Sequence, residues 1–447
     1  MNNLIIDLPE EILVVGLAAT LVLTTLVALR SWWVILPIML VVGIVEVQLG
    51  VNPTFELASY NILPIDVLTL GLLIAYGIRV LLIGRIAMAH LCWLGLSGLM
   101  ILGLVRGIAT YGLTTAVVAF RQDFYFIALA LYMQSFQWEP RDLDRFASIW
   151  MWASGLLSGY ALLCWIDPSF VILRADPTSS FFARDAFLGW RVLPASSALL
   201  IAESGLIAAL LWLRPGRIGP RHLAAVPLLM ITMMLYHRSV WIASLVALSL
   251  LGLHRPAQLS RLLLPMIIVG IGMAALMSFG GDMLVGAVQS AAAEPFRDNS
   301  TWAWRVNNWQ TMVPETIAAG PSTILMGWGY GASFEDQLTG VVLANPHNAY
   351  VAFFLNLGLA GLAMLLICCL MPLWRIVRHD DFPAGRTFDR LTGIALLGLL
   401  ISYYVPYSIS FDHGILLGLL SSLGAARTAT APDEPEEPDE AQPTAIE

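Results

Sequence analysis

The sequence predicts an all-α polytopic integral membrane protein of about twelve or thirteen transmembrane helices with one large extramembrane insertion. Three observations carry this expectation. The 447 residues are 58% hydrophobic and 12% charged, with a mean hydropathy of +0.77. Apolar runs long enough to cross a bilayer recur from Ile12 to Leu423, and inside hydrocarbon only helices and closed barrels satisfy their own backbone polar groups. That recurrence is interrupted once at length, over residues 281–346.

The first apolar run is flanked by Asp7, Glu10 and Glu11 and lacks a basic n-region or a small-residue cleavage site, so it reads as a retained span. Arginine placement in short loops sets the orientation. Basic connectors occur at Arg30, at Arg79 and Arg85, at Arg214, Arg217 and Arg221, at Arg255 and Arg261, and at Arg375, Arg378, Arg386 and Arg390. Placing all of them in the cytoplasm threads the chain through spans 12–30, 31–50, 62–83, 88–106, 113–136, 146–166, 192–213, 223–236, 239–254, 262–280, 347–373, 391–405 and 412–424. The N-terminus is then outside and the tail inside. The organisation is helices with short loops over 1–280, the insertion over 281–346, C-terminal helices over 347–424, and a tail over 425–447.

The thread brings the segment 167–191, the connector Tyr236-His237-Arg238-Ser239 and the insertion out on one non-cytoplasmic face. Arg174, Arg184, Arg191, Arg238, Arg297 and Arg305 therefore run against the positive-inside tendency as a group. An anionic ligand is a reason for arginines on that side.

Other features have plainer readings. All 23 basic side chains are arginine, which suits phosphate recognition but follows more simply from genomic base bias. The net charge of -8 comes almost wholly from Asp433, Glu434, Glu436, Glu437, Asp439, Glu440 and Glu447 in the Pro-rich tail, a composition expected to be disordered and non-catalytic. The cysteines Cys92, Cys164, Cys368 and Cys369 fall inside apolar runs without ligand-like spacing, so neither a disulfide nor a metal site is expected. Nothing indicates a nucleic-acid partner.

Four local patterns carry chemistry. In Asn345-Pro346-His347-Asn348-Ala349-Tyr350, an imidazole and two amides stand where a polar segment meets the membrane. Within the insertion, Asp298-Asn299-Ser300-Thr301 offers helix N-cap residues, and Trp302, Arg305 and Trp309 follow at i, i+3 and i+7 before Pro314, which is expected to break the run. The arginine between two indoles is either a snorkelling residue in an aromatic belt or a guanidinium held toward a phosphate. Gly327-Trp328-Gly329-Tyr330-Gly331 lacks the context of a dinucleotide loop and reads as a flexible turn with amides available to an anion. Arg238-Ser239 opens a helix of small and apolar residues, Val240-Trp241-Ile242-Ala243.

In this order and spacing, with Gly358 and Gly361 in the helix after His347, these motifs resemble the O-antigen ligase and O-antigen polymerase superfamily of bacterial envelope glycosyltransferases. The resemblance covers about Arg238 to Gly361. It implies roughly a dozen spans with a large periplasmic loop, in the bacterial inner membrane. It also implies transfer of a glycan from undecaprenyl diphosphate to a sugar hydroxyl, on lipid A-core for a ligase or on a second lipid-linked repeat unit for a polymerase. The family's two essential arginines and essential histidine carry over onto Arg238, Arg305 and His347. Arg191, His237, Trp309, Asn348 and Tyr350 are then candidates for holding diphosphate or glycan, with no cofactor and no metal expected.

The chemistry agrees with that carry-over. A glycosyl diphosphate already has a good leaving group, so the protein must screen growing phosphate charge and activate the acceptor hydroxyl. Two arginine forks can do the first. A neutral imidazole, titrating near roughly 6.5 when unperturbed, can do the second. Taken alone, His347 would read as a capping or interfacial residue.

Rival constellations are weaker. Asp142-Leu143-Asp144 has the DxD pattern of metal-dependent nucleotide-sugar transferases but reads as a solvated charged connector beside Glu139, Arg141 and Arg145. His237 is either a second diphosphate ligand or a helix end. Asp412-His413 is an alternative acid-base pair at the outer face. Glu203 lies within a span, facing the bundle, for pairing with an arginine or for function. A transporter or flippase of lipid-linked saccharide would show internal repeats and polar residues at mid-membrane, whereas here the polar residues gather at one face. A non-catalytic scaffold would leave the histidine-arginine grouping unexplained.

Overall fold

The structure, a computed structural model, describes residues 4–5, 9–48, 53–57, 60–83, 88–167, 170, 192–211, 223–235, 237–254, 265, 267–268, 270–272, 301–335, 342–343, 346–378 and 388–423. The chain is an all-α polytopic membrane protein. Its long apolar helices are α1 (Glu10–Arg30), α3 (Pro64–Ile83), α4 (Met88–Tyr111), α5 (Leu113–Gln134), α6 (Pro140–Ile166) and α12 (Ala349–Arg378). Among the described residues, these 6 are long and apolar enough to cross a membrane. Shorter apolar helices are α2 (Trp32–Gly43), α7 (Ala195–Leu211), α8 (Ala225–Met234), α9 (Arg238–His254), α13 (Arg390–Tyr403) and α14 (Phe411–Leu423). All of the expected spans except 262–280 coincide with one of these helices, and most of 262–280 lies outside the described residues. Two further helices, α10 (Thr301–Ala318) and α11 (Pro321–Met326), belong to the insertion.

Short strands edge the bundle. β2 (Pro53–Leu57) pairs in parallel with β1 (Leu4–Ile5) and antiparallel with β3 (Tyr60–Ile62), while β4 (Phe334–Glu335) pairs antiparallel with β5 (Val342–Leu343).

Local chemistry explains several helix starts. At α6 the carboxylate of Asp142 accepts from the Glu139 amide at 3.4 Å in a capping box, with Pro140 at the first helical position. Asp142-Leu143-Asp144 is thus part of the first turns of a helix, a correction to the connector expected there. Asp389 caps α13 by accepting from the Thr392 amide at 2.9 Å.

α14 lies against α5 along Gly414 and Gly418, four residues apart. A Cβ there would fall 2.2 Å from the Phe126 carbonyl and 2.4 Å from the Ala130 carbonyl, so only glycine lets the backbones meet. Small residues at this spacing are the usual means of close helix approach in lipid. Several charged groups of the bundle are matched. Arg121 pairs with Asp66 at 3.3 Å, Tyr125 donates to Asp66 at 2.6 Å, and Arg106 donates to the Met326 carbonyl at 2.7 Å.

Two expectations about the insertion are corrected. Pro314 does not end its helix: α10 continues to Ala318, held by buried Met312 and Thr316 and by the Trp328 indole donating to the Thr316 hydroxyl at 3.0 Å. The glycine-rich turn is not open. The amides of Trp328, Gly329 and Tyr330 donate to the carbonyls of Leu355, Asn356 and Gly103, and the Tyr330 hydroxyl donates to Asp123 at 2.9 Å. Gly329 has φ +90°, and at Gly107 a Cβ would stand 2.1 Å from the Tyr330 carbonyl, so this turn is a wedge packed on α4.

Candidate active site

His347 has φ +51°, and among the described residues it is the non-glycine residue with positive φ. Left-handed backbone costs a non-glycine residue roughly 1–2 kcal/mol, and it persists only where the surroundings impose it. Here three neighbours impose it. The Trp309 indole donates to the Pro346 carbonyl at 2.8 Å. The Asn348 side-chain oxygen accepts from the Val351 amide at 3.0 Å and so caps α12. The Ala349 amide donates to the carbonyls of Tyr404 and Tyr407, 3.0 Å to each. The turn is therefore pinned to α10 on one side and to the α13–α14 connector on the other.

α10 supplies the cation. Trp302 and Trp309 meet edge to face with centroids 5.5 Å apart, which fixes the helix face that carries Arg305. The Arg305 guanidinium carbon stands 4.8 Å from the centre of the Tyr407 ring, and its Nε is buried without a hydrogen-bond acceptor. Trp304, on the same helix, lies 5.6 Å from the His347 ring. Burial first, and the Arg305 charge second, push the His347 imidazole down from 6.5 to about 4. His347 precedes the membrane-spanning part of α12, and its ring is neutral at physiological pH.

The structure thus brings His347, Arg305 and Trp309 together. Asn348 and Tyr350 flank them with intramolecular contacts: Asn348 is the cap, and the Tyr350 hydroxyl donates to the Ile401 carbonyl at 2.7 Å. Arg238 is the first residue of α9, the helix that packs along α13. His237, just before it, is buried with Nε2 2.9 Å from the Leu193 carbonyl, which ties the start of α9 to the start of α7. Arg191, like Arg174, Arg184, Arg297 and the expected cap Asp298-Asn299-Ser300, lies outside the described residues.

Sequence reasoning missed Trp304, Tyr403 and Tyr407. The run Tyr403-Tyr404-Val405-Pro406-Tyr407 carried a signal, three tyrosines at a helix end beside a proline. Tyr403 stacks on Tyr407 with centroids 5.1 Å apart and rings 6° from parallel, a rigid floor under Arg305.

Asp412 and His413 are both 0% exposed, in the first turn of α14. The His413 ring lies against those of Tyr403 and Tyr404, with centroids 5.5 and 5.4 Å away. Glu203 is 0% exposed too and accepts from the Trp150 indole at 2.9 Å; no arginine pairs with it among the described residues.

The arrangement offers a neutral proton acceptor beside a guanidinium whose Nε has no acceptor among the described residues. Such a pair can bind an anion and deprotonate a neighbouring hydroxyl. The O-antigen ligase family matches residues 223–366, the stretch that holds Arg238, Arg305, the glycine-rich wedge and His347. The match supports an enzyme of glycosyltransferase type in a multi-pass membrane protein. Over this stretch, about a third of the chain, the protein is similar to the O-antigen ligase family, in agreement with the resemblance read from its motifs. No curated protein matches the chain.

Proposed function

We propose that the protein transfers a glycan from undecaprenyl diphosphate to a sugar hydroxyl at the periplasmic face of the bacterial inner membrane. We assign it as an O-antigen ligase whose acceptor is lipid A-core. The observation that carries this reading is Arg305, a guanidinium fixed over Tyr407 with no hydrogen-bond acceptor among the described residues and within electrostatic reach of His347. A guanidinium whose Nε has no acceptor among the described residues, beside a neutral imidazole, fits a substrate that brings its own negative charge.

Arg305 and Arg238 grip the diphosphate and stabilise the charge that grows on it as the anomeric carbon–oxygen bond breaks. His347 accepts the proton of the attacking hydroxyl, a contribution worth about 10²- to 10⁴-fold in rate. The indoles of Trp302, Trp304 and Trp309 hold the arginine and the imidazole in place, and Arg191 and His237 complete the anion site. The reaction needs neither nucleotide sugar nor metal, because the leaving group is already activated and the arginines screen it.

The test in cells is a gel of surface glycans from a deletion strain. Loss of a ligase removes all capped lipid A-core, whereas lipid A-core carrying a single repeat unit would contradict the ligase assignment and favour a polymerase. With purified protein, Arg238→Ala and Arg305→Ala each abolish or severely reduce transfer, and lysine replacements recover little because they lack the planar two-pronged donor. Full transfer by either lysine variant would show that charge alone suffices there.

A further inference from the structure

Beneath Arg305 lies a second set of polar groups that the transfer step described above does not use. Asp412 and Glu203 are both 0% exposed, and among the described residues neither oxygen of Asp412 nor Oε1 of Glu203 receives a hydrogen bond. His413 Nδ1 accepts from the Ser410 amide at 3.1 Å, so the neutral ring carries its hydrogen on Nε2, and that buried donor has no acceptor. The Tyr404 hydroxyl and the Ser410 hydroxyl are buried without partners among the described residues as well. Buried polar groups in native proteins are nearly always matched, so acceptors without donors beside donors without acceptors signal something held between them. A shared proton and bridging water meet every one of these requirements.

The position gives this set a role. The His413 ring is 5.5 Å from Tyr403 and 5.4 Å from Tyr404. Tyr403 stacks on Tyr407, over which Arg305 sits, and the Tyr404 and Tyr407 carbonyls hold the amide that follows the His347 turn. The tyrosines thus lie between the Arg305 guanidinium and the His413 ring, and Asp412 and Glu203 act electrostatically on Tyr403 and Tyr404.

We propose that Glu203, Asp412 and His413 form a buried proton-holding site that takes up the acceptor's proton after His347 has removed it. This rests on the proposed transfer reaction. The acceptor oxygen bonds to the anomeric carbon, the bond from that carbon to the phosphate oxygen breaks, and its electron pair leaves on the diphosphate. The hydroxyl proton goes to His347. It then passes by hydroxyls and water to the carboxylate pair, and the imidazole returns to its neutral form. In this scheme Asp412 and Glu203 act through His347 and are positioning residues.

Groups on several elements surround the pair, and the helix of Glu203 also packs against the segment Ile44–Gln48, which carries buried Glu46, and against α9, which begins at Arg238. Tyr403 and Tyr404 face it from α13, Trp150 bonds Glu203 from α6, and Arg305 of α10 interacts electrostatically with Tyr403. Tyr350 and Cys369 of α12 stand behind Tyr404. Against α14, Gly43 of α2 meets the Phe411 ring, and the carbonyls of Phe126 and Ala130 of α5 meet Gly414 and Gly418; α5 also carries the titratable residues Asp123 and Tyr125.

The experiment uses the full chain in lipid nanodiscs, as wild type, Asp412→Asn, Glu203→Gln and His347→Gln. It follows transfer from synthetic undecaprenyl-diphosphate glycan across pH in light and heavy water, and records infrared carboxyl spectra without substrate. Each acid variant is expected to lose about tenfold to hundredfold in turnover with unchanged KM for the donor, an altered pH profile and a larger solvent isotope effect. The wild-type spectrum is expected to contain a protonated-carboxyl band at neutral pH that the acid variants lose. Because the spectrum needs no turnover, a wild type without that band overturns the proposal even if a variant fails to fold. If His347→Gln abolishes transfer while both acid variants keep the wild-type pH profile and band, the proton-holding site is overturned and the transfer function stands. If the wild type transfers no glycan at all, the function falls and the proton uptake with it.

Discussion

The indole nitrogen of Trp309 donates to the carbonyl of Pro346 at 2.8 Å, joining the helix that carries Arg305 to the turn that carries His347. Since Arg305 and His347 come from segments about forty residues apart, this bond sets their spacing. Trp309→Phe keeps the ring and removes the donor. It is expected to lower turnover about tenfold to hundredfold, the cost of a small misplacement of catalytic groups, while removing only about 1 kcal/mol of stability. Thermal unfolding measured beside transfer separates the two effects, and a variant with normal turnover would show that the bond does not position the site.

The pH dependence follows from the lowered His347 value. With the folded imidazole at about 4 against 6.5 unperturbed, the ring is neutral in both states above about pH 6.5 and costs nothing there. As pH falls from that point the unfolded chain binds a proton that the folded chain refuses, so stability declines until about pH 4, where both forms are charged. His347→Asn should flatten this slope in unfolding measurements made between those limits. The acid limb of kcat/KM, which reports free enzyme, should likewise lie nearer 4 than 6.5. A limb at the unperturbed value would contradict the burial seen here.

The wedge formed by the glycine-rich turn predicts a contrast within one helix. Gly107→Ala places a methyl group 2.1 Å from the Tyr330 carbonyl, whereas Gly98→Ala meets nothing within 4 Å. The first should destabilise the protein severely and the second should be neutral or slightly stabilising, since alanine favours a helix by about 1 kcal/mol over glycine. Melting temperatures of the two purified variants check this, and equal values would mean that the wedge is not packed as described.

Much of the fold was legible because its signals are local. Apolar runs marked the helices, Asn348 was placed as a polar residue at a helix start, and Trp302, Arg305 and Trp309 at helical spacing announced the face on which the indoles meet. What was not legible depends on partners distant in the chain. The left-handed turn at His347 is imposed by the Tyr404 and Tyr407 carbonyls and by Trp309, and nothing in Pro346-His347-Asn348 announces them. The amides of the glycine-rich turn read as free because Gly103, Leu355 and Asn356, which accept from them, come together only in the folded bundle. Pro314 read as a helix breaker because its local effect is unfavourable, and packing of Met312 and Thr316 overrides it. The layer of Tyr403, Tyr404 and Tyr407 was visible as composition but not as the floor of a site.

The central claim is that His347 takes the acceptor's proton while Arg305 holds the diphosphate. In vitro transfer by purified His347→Gln, with synthetic undecaprenyl-diphosphate glycan and lipid A-core, tests it most directly, because glutamine keeps hydrogen-bonding capacity and loses basicity. The account predicts a loss of roughly two to four orders of magnitude in turnover with donor binding retained. Turnover equal to the wild type would contradict it.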